Sequence, residues 1–211
     1  MLKQILQINR LVAAVIIMCF TAICCGGEVE DFCSPTNKSC SNKAKFTILM
    51  DDNLSDDHKL LISTALAEWD IRTNQSLDYV IKYKDMSKVP NDLSGDFNTI
   101  KIFMLDPGPG NLGWTEWQTD NNTARILLHP DLNQDNFYPT ILHELGHAFH
   151  IGHYSGKYKS IMRPSIGNTN QLECTDIMAF CKIWDCQPTC SLYDTPQYPA
   201  AHTIKILLYS N

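Results

Sequence analysis

The chain has 211 residues, 44% hydrophobic and 19% charged, the balance of a folded domain rather than a disordered polymer. Seventeen basic residues against 23 acidic ones give a formal charge of −6, and no basic run stands out, which argues against a surface that tracks nucleic-acid phosphates. Ten glycines and ten prolines without periodic spacing exclude collagen-like and repeat architectures.

Residues 1–25 read as a signal peptide. Lys3 and Arg10 make the positive region and Leu11 to Ile23 the apolar one. That run is short of the roughly 20 residues that cross a bilayer. Ala22-Ile23-Cys24-Cys25-Gly26 also resembles a lipoprotein processing site, which implies membrane anchoring through a lipidated Cys25; plain cleavage near Cys24 to Gly27 is the alternative. Either route predicts a secreted, extracellular or cell-envelope protein, and nothing in the sequence asks for more than a monomer. Residues 26–44 are polar, a tether or N-terminal loop, and residues 45–211 are assigned to one domain with a Cys-rich C-terminal segment.

Along that domain, Lys45 to Met50 predicts a strand. Ser55 to Arg72 predicts an amphipathic helix, with cap chemistry at Asn53 to Asp57 and apolar residues at three- to four-residue spacing. Leu77 to Lys82 is a second strand, and Lys84 to Phe97 a long polar loop. Thr99 to Leu105 is a third strand, ended by Asp106-Pro107-Gly108-Pro109-Gly110. Leu112 to Trp117 and Ala124 to His129 are a fourth and fifth. Phe137 to Phe149 and Leu172 to Ile183 are helical. The order β-α-β-β-β-β-α-loop-α is that of a mixed α/β (α+β) domain with one sheet and few helices.

Three of the nine cysteines lie in the leader. The other six, Cys33, Cys40, Cys174, Cys181, Cys186 and Cys190, are bound for an oxidising compartment and predict three disulfides, their pairing open. A zinc knuckle is the weaker reading, because the last four contain no C-x2-C pair.

The chemistry sits in residues 143–153, His-Glu-Leu-Gly-His-Ala-Phe-His-Ile-Gly-His. On a helix, His143 and His147 share a face, so both imidazoles reach one metal. Glu144 lies one step round, where it approaches a water without being a ligand. Zn2+ suits two neutral imidazoles, a third ligand and an open position. Glu144 can then act as general base in peptide-bond hydrolysis. Three residues compete as third ligand. His150 would lie about 4.5 Å beyond His147 on a continued helix, badly placed. His153 works if the helix stops near residue 150 and the chain turns back. Glu173, on a later helix, would suit a gluzincin-like zinc peptidase. A non-catalytic, zinc-stabilised surface binding module is the rival from another class, and the presence of Glu144 speaks against it.

H-E-x-x-H with His153, followed by Ser160-Ile161-Met162-Arg163-Pro164, resembles the metzincin zinc endopeptidases and is most similar to their matrixin-like branch. The resemblance implies a mixed, mostly parallel twisted sheet of about five strands, an active-site helix, a methionine turn and a C-terminal helix, over residues 45–184. It implies His143, His147 and His153 as ligands, Glu144 as catalytic base, Met162 as an unbonded floor under the metal, and a protein or peptide substrate. It also implies an edge strand over the cleft, here Leu112, Gly113, Trp114, Thr115 and Glu116, facing a wall of Pro164, Ser165 and Ile166. The chain departs from the pattern at position 150, where the family's Gly is His150. Histidine is among the non-Gly residues that enter the left-handed region, so the turn survives under some strain. A short blocking segment within residues 26–44, with Asp31 or Cys33 reaching the metal, is the place left for latency.

The remaining histidines, His58, His129 and His202, read as structural or surface groups. Trp69 reads as core, while Trp114 and Trp117 alternate with polar residues and suit either a cleft rim or the core. Asp106 and Asp120 flank a Gly-rich loop and offer a Ca2+ site that no Asp-x-Asp pattern supports.

Overall fold

The computed structural model describes residues 29–31, 44–86, 96–118, 121–165, 169–188 and 190. The elements are β1 (Val29–Asp31), β2 (Ala44–Asp51), α1 (Asp56–Arg72), β3 (Leu77–Lys84), β4 (Thr99–Met104), β5 (Gly113–Gln118), β6 (Thr123–Leu128), α2 (Gln134–Ala148), β7 (Ile151–Tyr154) and α3 (Cys174–Trp184). Five of the strands form one sheet in the order β3-β2-β4-β6-β5. The first four are parallel, and β5 runs antiparallel to β6, from Gly113 opposite Leu128 to Gln118 opposite Thr123. This is the mixed, mostly parallel sheet expected.

Central strands of a parallel sheet are covered on both faces, and β6 is buried along its whole length. The helix side carries the main core. Phe46, Trp69, Phe149 and Phe180 meet there in tilted and edge-on ring contacts, centroids 5.2 to 5.8 Å apart. Met86, Phe103 and Leu127 make a smaller cluster apart from it.

Ser55 caps α1 by accepting from the His58 N–H, and Asp56 and Asp57 occupy the first turn, where the helix dipole favours anions. The buried stripe Ile62, Ala65, Leu66 and Trp69 seats the helix. The Trp69 indole also donates to the Leu142 carbonyl at 3.2 Å, pinning α1 to α2. The α2 helix starts three residues before the expected Phe137, because the Asn133 side chain caps it by accepting from the Asn136 N–H at 2.9 Å. That first turn is polar, so the apolar period does not announce it.

Two short strands were not expected. β7 follows α2 directly, and β1, from the segment read as a tether, pairs with it antiparallel; Val29 stands opposite Tyr154 and Asp31 opposite Ile151. At three and four residues they are too short to show a period of two. The C-terminal segment is cross-linked by Cys174–Cys190 and Cys181–Cys186. The leader with Cys25, and Cys33, Cys40, Asp120, Ile166 and His202, lie outside the described residues.

Candidate metal centre and cleft

α2 carries His143, Glu144 and His147 on its last turns and ends at the cap Phe149. His150 then takes φ 70°, the left-handed conformation the turn requires, and the chain doubles back into β7, which presents His153. His150 therefore does the conformational work of the family's glycine. Its ring is buried and stacks on Trp117 with centroids 3.9 Å apart, so it stands aside from the other three.

The candidate ligand nitrogens of His143, His147 and His153 lie within 4.8 Å of one another and form the one such group of His, Cys, Asp or Glu among the described residues. The Nε2 atoms of His147 and His153 are 3.2 Å apart. Two nitrogens at about 2.0–2.1 Å from a tetrahedral zinc stand roughly 3.3 Å from each other, so the spacing fits that ion. His143 Nδ1 donates to the Ile161 carbonyl at 2.7 Å and His147 Nδ1 to the Ile151 carbonyl at 2.8 Å. Each bond fixes the tautomer that leaves Nε2 as a lone-pair donor. Burial pushes His143 down to about 4 and His147 to about 3, keeping both neutral at physiological pH. Glu173, the rival ligand, is the N-cap of α3 and accepts from Thr169 and Gln171.

Below the three histidines runs the turn Ser160–Ile161–Met162. Met162 is buried, and a Cβ placed on Gly146 would come within 2.2 Å of its sulfur, so the thioether rests on the helix between His143 and His147. The turn is gripped by Asp176 of α3. That carboxylate accepts from Ser160 Oγ at 2.5 Å, from the Ile161 N–H at 3.0 Å and from the Glu173 N–H at 2.8 Å. Burial raises its pKa to about 6 against these bonds. Ile161 thus links Asp176, through its N–H, to His143, through its carbonyl. Sequence reading did not find Asp176; its only signal is the acidic N3 position of a capping box.

A cleft of about 620 Å³ opens over the triad, lined by β5 with its preceding loop, by α2, and by Arg163, Pro164 and Ser165. Leu112, Gly113, Trp114 and Thr115 line it, as do Trp117 and Thr140, which had not been assigned. Glu116 turns away and pairs with Arg125 of β6. Trp114 is 49% exposed at the rim. Trp117 instead points inward, and its indole donates to the His147 carbonyl at 3.2 Å. Gly113 has no room for a side chain, since a Cβ would stand 2.7 Å from both Cγ and Oε1 of Glu144. Glu144 is buried, which raises its pKa to about 7, while the Thr115 hydroxyl, 2.6 Å from Oε2, pulls the other way. Of the other described histidines, His58 stacks on Phe137, and His129 Nδ1 accepts from the Asp131 N–H. Asp106 accepts from the Gly108 N–H within its own turn.

No protein-family model matches the chain, and no curated protein matches it. Solved structures do. High choriolytic enzyme 1, a hatching enzyme zinc-protease from Oryzias latipes (medaka fish), matches with a TM-score of 0.51 at 13% identity, over 75% of this chain and 100% of that one. Two structures of myroilysin match at 14% identity with TM-scores of 0.45, over 70% and 66% of this chain and 97% and 83% of theirs. The first match is a likeness of fold, and with its HExxH helix, methionine turn and antiparallel edge strand the chain has the metzincin fold.

Proposed function

We propose that this protein is an exported zinc-dependent endopeptidase of the metzincin type, cleaving internal bonds of proteins or peptides. One observation carries the reading: three imidazoles converge beside a buried carboxylate in an open cleft. Zinc held there by His143, His147 and His153 would supply Lewis acidity, polarising a peptide carbonyl and lowering the pKa of a water from 15.7 to about 7. Glu144 accepts the proton of the attacking water and passes it to the leaving amine. A carboxyl held near 7 by burial is matched to both halves of that transfer at neutral pH. A purely structural zinc is enclosed by four protein ligands, whereas the group here has three and faces a cleft.

Among the described residues no strand pairs with the outer edge of β5, and an extended substrate would add there as a further strand. Leu112 to Thr115 would meet it on one side, and Pro164, Ser165 and Ile166 would wall a side-chain pocket on the other. The fold is common to the metzincins, so the matrixin-like reading rests on the motif alone. Export is supported by the leader and by two disulfides in the folded domain, with lipidation at Cys25 as the route to an envelope anchor.

Metal analysis together with hydrolysis of a broad pool of long peptides tests the proposal. About one zinc per chain is expected, with cleavage that a chelator abolishes. Glu144→Gln should keep the zinc and lose cleavage. A zinc-loaded wild-type protein that cleaves nothing in the pool would sink the reading.

A further inference from the structure

Along β5 the side chains alternate, and every second one is committed to α2. Gly113 lies against Glu144 and Thr140, Thr115 reaches Glu144, and Trp117 holds the His147 carbonyl while stacking on His150. We propose that Thr115 is a positioning residue of the reaction, its hydroxyl holding the Glu144 carboxylate in the one orientation that leaves Oε1 free in the cleft. The proposal rests on the peptidase reading above and adds a role that the backbone of the edge strand does not supply.

The geometry is specific. Thr115 Oγ1 lies 2.6 Å from Glu144 Oε2 and 3.1 Å from the backbone oxygen of the same residue. A hydroxyl has one proton to donate, and the nearer acceptor takes it. Oε2 is then occupied. Oε1 sits beside the bare Cα of Gly113, in the cleft that His143, His147 and His153 also line. A free Glu side chain has three rotatable bonds, and the last of them is broad and two-fold. Without a partner on Oε2 the carboxylate therefore samples orientations in which neither oxygen is placed to take the proton.

The role differs from substrate binding in what it predicts. A group that orients the base acts in the transition state and lowers kcat when removed; a group that holds substrate raises KM. Thr115→Val keeps the shape and the β-branched backbone preference and removes the hydroxyl, and Thr115→Ser restores it. Thr115→Val should lose about 10- to 100-fold in kcat, with KM and zinc content within about twofold of wild type. Thr115→Ser should recover most of the loss. A crystal structure of the metal-free Thr115→Val protein should show the Glu144 carboxylate in a different rotamer. Wild-type kcat in Thr115→Val, a change confined to KM, or an unmoved Glu144 rotamer in the crystal would each overturn the proposal. Failure of the peptidase reading would look different: the wild type and Glu144→Gln would be equally inactive, and the crystallographic comparison would still decide whether Thr115 orients Glu144.

Discussion

Gly146→Ala sets two known effects against each other, and the structure decides which wins. In an ordinary helix interior the change stabilises, since Gly is worse than Ala by about 1 kcal/mol. Here the new Cβ would stand 2.2 Å from Met162 Sδ, 3.0 Å from Met162 Cε and 3.3 Å from Trp69 Cζ2. Unstrained carbon contacts need about 3.5–4.0 Å, so the sulfur has to retreat by more than about 1 Å. It has nowhere easy to go, because Met162 is 1% exposed and Trp69 is fully buried beside it. Overpacking of this kind costs about 1–3 kcal/mol. After the helix gain is deducted, a net loss of about 1 kcal/mol is expected, and at most about 2. Urea denaturation of the metal-free protein, with an unchanged m-value, measures it. Met162→Ala opens the space the methyl needs. The double variant should accordingly be more stable than the two single losses sum to, by about 2 kcal/mol, the overpacking cost that is relieved. A Gly146→Ala protein that gains about 1 kcal/mol, or a double variant that is strictly additive, would refute the packing argument.

His153→Ala should abolish stoichiometric zinc binding, while His150→Ala should leave zinc bound and lower stability through loss of the Trp117 stack; metal analysis and denaturation of both variants check this. In the metal-free protein, His143, His147 and His150 are held by burial at about 4, 3 and 4, below the 6.5 of a free imidazole. The unfolded chain binds the extra protons, so their contribution is present above pH 6.5 and is lost as pH falls towards 4. Glu144 and Asp176, raised to about 7 and about 6, and Asp70, also raised by burial, act with the opposite sign, but the downward displacements of the three imidazoles outweigh them. Net stability should fall between pH 6.5 and 4, and a flat or rising profile in urea melts across that window would contradict the assignment. Thiol alkylation of the unreduced protein followed by mass spectrometry should leave Cys174, Cys181, Cys186 and Cys190 unmodified; alkylation at these four would disprove the two cross-links.

The sequence made the sheet legible because its strands are long enough to show β-branched runs between glycine and proline breaks, as Thr99 to Met104 does before Pro107. The α1 helix was legible through Ser55 and its apolar stripe. That His143 and His147 share a face was legible because helical spacing is a local property, whereas spacing left His150, His153 and Glu173 open as the third partner and only the family resemblance pointed to His153. The same locality explains the omissions. Asp176 acts on Ser160 and Ile161 across the core, and nothing in its neighbourhood of sequence says so. Thr115 meets Glu144 only because β5 packs over α2, a relation between residues 29 apart in the chain. His150, which looks like a defect in the motif, becomes intelligible once Trp117 is seen beside it.

The grip of Asp176 on the Ile161 peptide also has a bearing on the order of events during synthesis. The residues that would hold the metal all precede position 154, and a nascent chain exposes them first. Yet the carbonyl that orients His143 is set by a carboxylate that emerges later and must be buried by the docking of α3. A ribosome-bound chain without that helix would offer the histidines in many orientations at once. Metal capture in the final geometry would therefore wait on α3.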